Sequence, residues 1–379
     1  MIAGPSFTLG IEEEYLLVDL ETRQLVRALP AELLERCERR LGPRVSPEFL
    51  RSQIEVQTGI CQDAAAARAE LLELRRTVAE LAREFGMAPI AASTHPSARP
   101  EDQQHTEGER YSRLHEDLQG VARRLVICGM HVHVGIGEDE LKIDLMNQVG
   151  YFLPHLLALS TSSPFWQGED TGLKSYRIAV FDELPRTGLP ERFESFGEYR
   201  RHTDTLVRLG IIQDAGKLWW DIRPSGRFPT LEMRITDICT TVEDGITVAC
   251  LYRCLLRMLW RLRVANQRWR NYLRMLIAEN RWRAQRYGID QPLVDFGRGE
   301  LVPYPQLLEE MLALLADDAA HFGCAAELAH AGTILARGTS AHTQLRLYRA
   351  SLAEGRTHEQ ALHAVVDWLI AATVSGAAG

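Results

Sequence analysis

The sequence predicts an α+β protein: an antiparallel sheet with helices packed on one of its faces, followed by a helical C-terminal region. Three observations carry this. Several short segments alternate apolar and polar residues, which marks strands with one buried and one open face. Two of these segments, Leu218–Pro224 and Thr230–Asp237, are separated by little more than a turn at Ser225-Gly226, a strand-turn-strand arrangement. From Thr240 onward the chain reads as one helix after another.

In order, the first strand places Glu12-Glu13-Glu14 between the apolar residues Phe7, Leu9 and Ile11 and Leu16, Leu17 and Val18. Strand side chains alternate, so Glu12 and Glu14 project together and Glu13 points the other way. Burying carboxylates is costly unless cations offset the charge, so this pair invites a divalent cation; an exposed edge strand with solvated acids is the alternative. Glu13, on the apolar side, calls for a bulge or an arginine partner. A helix over Ala31–Leu41 ends at Gly42-Pro43. Ser52–Thr58 is a second acidic strand, with Glu55 and Gln57 on one face and Ile54 and Val56 on the other. Asp63 caps a helix that runs to Phe85 and closes at Gly86.

Ala88–Ser93 is a small-residue strand that leads through His95-Pro96 and a polar loop to a helix from Glu109 to Leu125. Cys128–Ile136 alternates most cleanly, with His131 and His133 on one face and Met130, Val132, Val134 and Ile136 on the other. A long helix over Leu141–Leu159 precedes a segment dense in Gly, Pro, Asp and Arg, Phe165–Phe193. At about twice the ordinary loop length, that segment reads as a functional loop or lid. A helix over Glu194–Leu209 leads to the strand pair, in which Glu232, Arg234 and Thr236 share a face. Thr240-x-x-Glu243 has capping-box spacing and opens a helix to Val264. Further helices follow at Tyr272–Arg286, Gln306–Leu315, Ala325–Leu335 and His358–Thr373. Neither an internal repeat nor a low-complexity linker divides the chain, so residues 1–379 read as a single catalytic domain.

Composition narrows the function classes. At 379 residues, 46% hydrophobic and 25% charged, the chain can bury a sizeable core. A net charge of −8 and a pI near 5.9 leave no electrostatic footprint for nucleic acid. Seven cysteines without a Cys-x-x-Cys pair, behind a start with no basic and apolar leader, point to reduced thiols in a cytoplasmic protein. The most apolar windows, Ile246–Val264 and Leu362–Val374, are interrupted by arginines or by Asp367, which excludes membrane spans. The helical C-terminal half offers surface for a homodimer.

The polar strand faces would gather Glu12, Glu14, Glu55, His131, His133, Glu232 and Arg234 on one surface. Hard oxygen ligands for Mg²⁺ beside an arginine for a transferring phosphoryl group are what a magnesium–nucleotide site needs. His131-x-His133 alone fits equally a hydrogen-bonded pair or a zinc ligand set. HExxH, Walker A and Gly-x-Gly-x-x-Gly sequences are absent, so phosphates must be held in another way.

Four motifs in order, Gly10-Ile11-Glu12-Glu13-Glu14-Tyr15, Gly129-Met130-His131-Val132-His133-Val134, Trp220-Asp221-Ile222-Arg223-Pro224 and Leu231-Glu232-Met233-Arg234, resemble the glutamate–cysteine ligase type 2 family of carboxylate–amine ligases. Ser163–Gly168 with Asp170-Thr171-Gly172, and Asn280-Arg281-Trp282 with Arg286-Tyr287-Gly288, extend the resemblance over nearly the whole chain. It implies a glutamine-synthetase-like fold, a curved antiparallel sheet with helices on its convex side and the site on the concave face. It further implies that Glu12, Glu14, Glu55, His131 and Glu232 hold Mg²⁺ or Mn²⁺ ions bridging the phosphates of ATP, and that Arg234 contacts the γ-phosphate as the catalytic arginine. Glu48 lies where related ligases have another acidic ligand; a surface acid is its alternative.

Asp221 and Arg223, sharing a strand face, are assigned with His133 to substrate, against a structural Asp–Arg pair. Arg177 and Asp170 would shape the amino-acid pocket or stand as solvated loop charges. Arg281 is set apart from the solvated Arg268–Arg286 face as a nucleotide contact. Gly338–Leu345 departs from the family pattern of an arginine on either side of the glutamine, which bears on substrate choice or closure and not on the metal site.

The expected reaction is ATP-dependent joining of a carboxylate to an amine through an acyl phosphate, with glutamate and cysteine the substrates the family name implies. A phosphotransferase on the same fold, a zinc-dependent hydrolase using His131 and His133, and a non-catalytic binding protein are the alternatives.

Overall fold

The computed structural model describes residues 4–106 and 118–375. Its first five strands are β1 (Leu9–Asp19), β2 (Val45–Pro47), β3 (Gln53–Gln57), β4 (Met87–Ile90) and β5 (Met130–Gly135). β1 pairs along one edge with β3 and along the other, in succession, with β5 and β4. β2 extends the sheet beyond β3, and the strands Thr230–Met233 and Ile222–Pro224 extend it beyond β5. Every one of these pairings is antiparallel.

The register explains the two faces. Glu14 stands opposite Glu55, Glu12 opposite both Gln57 and His131, and Glu232 opposite both His133 and Arg223. Directly paired residues project to the same side of a sheet, so the alternate polar positions of five strands converge on one face. The other face carries Val56, Met130 and Glu13. It is covered by helix α2 (Ala64–Arg83), which follows α1 (Ala31–Leu41) in the chain, through the fully buried Leu71, Leu74 and Val78, and by the helix Val242–Val264, whose Tyr252 hydroxyl donates to the Leu231 carbonyl at 3.2 Å. Asp63 caps the start of α2 by accepting from the Ala66 N–H at 2.8 Å.

Glu13 is reconciled with the apolar side by an arginine and not by a bulge. Arg75 of α2 is fully buried and donates to both carboxylate oxygens of Glu13.

Other elements depart from expectation for local reasons. Thr241, not Thr240, caps the long helix, accepting from the Asp244 N–H; the Thr240 hydroxyl is taken by the Ala91 carbonyl at 2.7 Å. The expected helix Leu141–Leu159 is divided into Asp139–Val149 and Leu153–Ser160 by a 3₁₀ turn at Gly150–Phe152, with Pro154 in the first turn of the second. The Phe165–Phe193 segment holds a two-strand ribbon (Phe165–Trp166 with Glu169–Asp170) and a helix at Tyr176–Phe181. Thr187–Gly188 pairs in parallel with Trp219–Trp220, which draws those tryptophans out of the main sheet. The C-terminal half is interrupted by a hairpin, Leu293–Asp295 with Glu300–Val302. The expected helix Glu109–Leu125 begins within 107–117, outside the described residues; beyond them Gly120–Arg123 forms one helical turn. No helix among the described residues is long and apolar enough to cross a membrane, and all seven cysteines are buried free thiols.

Candidate active site

The polar face of the sheet floors a cavity of about 320 Å³. Two groups of potential metal ligands lie within it: Glu12, His131 and Glu232, and Glu14, Glu48 and Glu55, with ligand atoms inside each group within 4.8 Å of one another.

In the first group, Glu12 Oε2 lies 3.1 Å from His131 Nδ1, and Glu12 Oε1 lies 3.3 Å from His133 Nε2. Burial works against the Glu12 carboxylate, but the two imidazoles outweigh it and hold the group well below the usual carboxylate range. Burial, aided by Arg234, brings His131 down to about 4, so its imidazole is neutral near pH 7 and can offer a lone pair. His131 Nδ1 also lies 3.3 Å from Arg234 Nη1. A single ring nitrogen can donate to Glu12 or accept from Arg234, not both. Glu232 receives a two-point clasp from Arg223 (3.0 and 3.1 Å) and a third bond from Arg234 Nη1 at 2.5 Å. Those guanidiniums overcome its burial and keep it ionised. His133 Nδ1 is engaged by the Thr230 hydroxyl at 2.9 Å.

The second group is crowded with negative charge. Glu14 Oε2 accepts from the Gly129 N–H at 2.7 Å, Glu55 Oε1 accepts from the Ser46 hydroxyl at 3.1 Å, and a Glu48 oxygen accepts from the Phe49 N–H. Burial and the Glu48 carboxylate push Glu14 up to about 7 and Glu55 well above its ordinary value. A half-buried set of three carboxylates, with Glu14 and Glu55 raised beside Glu48, suits a hard, oxygen-preferring cation, and the mixed imidazole–carboxylate group beside it suits a second.

Arg234, with its side chain 11% exposed, bonds Glu232 and His131 of the first group and feels the Glu14 carboxylate of the second, and its backbone is held from two sides. Its N–H and that of Ile235 donate to the Asp221 carbonyl at 2.8 and 3.1 Å. Its carbonyl and that of Ile235 accept from Arg177 at 3.1 and 3.2 Å. Arg177 is therefore a buried wall of the cavity and not a solvated loop charge, only 2% exposed. Its helix is anchored by Ser163, whose hydroxyl accepts from the Arg177 N–H and donates to Asp237.

Several expectations are corrected. Asp221 and Arg223 do not act from a shared face: Asp221 falls at the break before Ile222–Pro224, and its carboxylate is clasped by Arg281 at 2.7 and 3.1 Å, whereas Arg223 turns to Glu232. Neither Asp221 nor Arg281 lines the cavity; Arg281 is spent on Asp221 and Asp182, to which it bonds at 2.6 and 2.8 Å. Asp170 lies on the outer ribbon, paired with Arg349 at 3.1 Å, away from the cavity. The unusual Gly338–Leu345 stretch also lies off the cavity. It opens a helix and braces the 161–163 loop through Ala341 N–H to Thr161 and Gln344 to Ser162. Not foreseen were Lys217, Trp219, Arg227 and Phe228, which overhang the cavity. The turn at Ser225–Phe228 was the available signal, since it joins the strands carrying Arg223 and Glu232.

The antiparallel sheet and its acid-and-histidine face place the chain among the ATP-dependent carboxylate–amine ligases built on the glutamine-synthetase-like fold. A glutamate–cysteine ligase of Francisella tularensis, solved in complex with AMP, superposes with a TM-score of 0.69 at 14% identity, over 97% of this chain and 89% of that one. A bifunctional glutathione synthetase from Pasteurella multocida gives 0.68 at 15% identity over 96% of this chain, which spans about half (52%) of that longer one. In sequence, the model of glutamate-cysteine ligase family 2 matches residues 8–367, and the chain belongs to that family. A Rhodospirillum rubrum protein named "Putative glutamate--cysteine ligase 2" is 64% identical over 375 residues, 98% of this chain and 96% of its own length. One from Jannaschia sp. with the same name is 54% identical over 364 residues, 96% of each.

Proposed function

We propose that this protein, acting as one catalytic domain, joins the side-chain carboxylate of glutamate to the amine of cysteine at the expense of ATP. The observation that carries the reading is that two ligand groups and Arg234, bonded to Glu232 of the first, line one cavity. A carboxylate oxygen of the amino acid attacks the γ-phosphorus and the bond to ADP breaks. The amine nitrogen then attacks the acyl carbon, the carbon–oxygen bond to phosphate breaks, a proton leaves the nitrogen, and amide and phosphate result.

Glu12, His131 and Glu232, and Glu14, Glu48 and Glu55, are the residues that would hold Mg²⁺ or Mn²⁺. When bound, such ions neutralise charge on the triphosphate. Arg234 supplies a fixed positive charge for the transferring phosphoryl group. Arg177 orients Arg234 through its carbonyl, and Arg223 fixes Glu232. Lys217, half-buried, and Arg227, exposed, line the same cavity and would meet an anionic substrate group. A zinc hydrolase would need both imidazoles as ligands; His133 stands outside both ligand groups, and the sets are rich in carboxylate. With its seven cysteines unpaired, the protein fits a reducing cytoplasm.

The test is phosphate release by the purified protein with Mg-ATP, glutamate and a panel of amines including cysteine, with mass spectrometry of the products. An amide that depends on both substrates supports the reading and names the acceptor. ADP without an amide favours a phosphotransferase. Glu55→Ala and Arg234→Ala should each abolish turnover with the fold retained; unchanged turnover would remove the site assignment.

A further inference from the structure

Three of the seven free thiols come together away from the acid-floored cavity. Cys250 and Cys254 stand one turn apart on one face of the helix Val242–Val264, and Cys324 is the residue that starts the helix Ala325–Arg337. All three are fully buried, although Cys324 is only one layer deep, between the exposed Gly323 and Ala325. Cys254 Sγ lies 3.6 Å from Cys324 Sγ, a non-bonded contact, against about 2.05 Å in a disulfide.

The surroundings supply a positive charge with no carboxylate paired to it. Arg253, only 3% exposed, donates from Nε to the Phe7 carbonyl at 2.6 Å and from Nη2 to the Gln62 carbonyl at 2.7 Å. It forms no ion pair with an acid among the described residues, and its buried Nη1 has no hydrogen-bond partner there. Its guanidinium carbon stands 3.9 Å from the centre of the Phe322 ring, two residues before Cys324. Burial disfavours the Arg253 charge; the sulfurs of Cys250, Cys324 and Cys254 favour it, ahead of the Asp63 carboxylate. A buried cation of this kind calls for an anion.

Cys324 is the sulfur placed to be that anion. It sits at the N-terminal end of a 13-residue helix, and the Cys250 and Cys254 thiols, with Arg253, hold it well below the usual thiol range against its burial. Elsewhere burial acts alone or nearly so: it pushes Cys37 and Cys61 up to about 11 and Cys128 and Cys239 well above their ordinary value, which leaves those thiols unreactive.

We propose that Cys324 and Cys254 form a reversible oxidation site, in which a peroxide converts the pair into a disulfide. The Cys324 thiolate attacks one peroxide oxygen, the O–O bond breaks, and the departing hydroxide takes a proton from solvent as water. The Cys254 sulfur then attacks the sulfenic sulfur of Cys324, the S–O bond breaks, and hydroxide leaves with the Cys254 proton as a second water. Two thiols are oxidised and one peroxide is reduced; a small thiol reverses the bond by exchange. The bond joins positions 70 residues apart and ties the helix that covers the sheet to the helix Ala325–Arg337. The site is independent of the reaction assigned to the sheet face.

Treating the reduced full chain with hydrogen peroxide, alkylating the remaining thiols in urea and mapping the peptides by mass spectrometry tests it. A Cys254–Cys324 cross-linked peptide forms first, the other cysteines are recovered alkylated, and dithiothreitol restores all seven thiols. In Cys254→Ser, dimedone labels Cys324 at least tenfold more than in the parent, because the sulfenic acid has lost its partner. In Cys324→Ser, neither the cross-link nor the dimedone adduct forms. Circular dichroism checks the fold of both serine variants, and the mapping of the parent depends on neither. The proposal is overturned if all seven thiols survive a large excess of peroxide, if oxidation starts at another cysteine, or if the sulfur joined to Cys324 is that of Cys250.

Discussion

Arg75 and Glu13 form a two-point ion pair with no solvent exposure on either side chain, Nε to Oε2 at 2.9 Å and Nη2 to Oε1 at 2.6 Å. The three remaining guanidinium bonds go to the carbonyls of Thr240, Thr373 and Cys239, and the Tyr15 hydroxyl donates to Glu13 at 2.5 Å. The pair therefore ties the central strand to α2, to the start of the long helix and to the last helix. Removing one partner strands a buried charge: Arg75→Leu or Glu13→Leu should each cost on the order of 3–5 kcal/mol in urea unfolding. The double replacement should cost less than the sum of the two, a coupling that a mere packing defect would not give.

The crowded carboxylates make stability depend on pH in a stated direction. Glu14, at about 7 against an ordinary 4.5, and Glu55, also raised, are more readily protonated in the folded chain than in the unfolded one. The stability they contribute is full below about pH 4.5 and is lost as pH rises through 7. Glu12 and Glu232 are shifted downward, so their contribution changes in acid, outside that window. In EDTA, the buried His95, His131 and His155, each brought down to about 4, gain stability as pH rises over the same window, so the carboxylate effect is read as a difference: Glu55→Gln should gain at least about 1 kcal/mol on the parent at pH 7.5 and little at pH 4.5. Millimolar Mg²⁺ should stabilise the parent at pH 7.5 more than the variant.

Arg281 acts on Arg234 at one remove. It grips the Asp221 carboxylate, and the Asp221 carbonyl holds the N–H groups of Arg234 and Ile235. Loss of that grip should misplace the Arg234 guanidinium without removing it. Arg281→Lys, which cannot reproduce the four-bond fork, should lower kcat about 10–100-fold with a smaller change in KM. Asp221→Asn should do the same, and the double variant should be little worse than either single one, as steady-state kinetics on the three will show.

Alternation made the main face legible from sequence: Glu12 and Glu14, Glu55, His131 and His133, and Glu232 were placed by period two alone, and the register agrees because it too has period two. What could not be read was anything set by tertiary contact. Glu13 announced a missing cation, but Arg75 lies 62 residues away on a helix whose pattern gives no hint that one arginine faces inward. Asp221 looked like a neighbour of Arg223 because the segment was read as one strand. The parallel pairing of Trp219–Trp220 with Thr187–Gly188 breaks it, and that pairing depends on a loop 30 residues earlier that carries no periodic signal of its own.

Gly129 opens the histidine motif, and the structure gives a reason for its size. A Cβ there would fall 2.5 Å from Nη2 and 3.1 Å from Cζ of Arg177, whose guanidinium is buried with two carbonyls and the Phe181 ring around it. The guanidinium cannot step aside without releasing the carbonyls of Arg234 and Ile235, and the Gly129 N–H itself bonds Glu14. Gly129→Ala should thus reach both ligand groups at once, lowering kcat at least tenfold and stability by about 1–3 kcal/mol through overpacking. Arg177→Lys in the same background relieves the clash, so it should restore stability while leaving kcat low, because the lysine reaches at most one of the two carbonyls. If the double variant instead recovered full turnover, the guanidinium of Arg177 would have no part in holding Arg234.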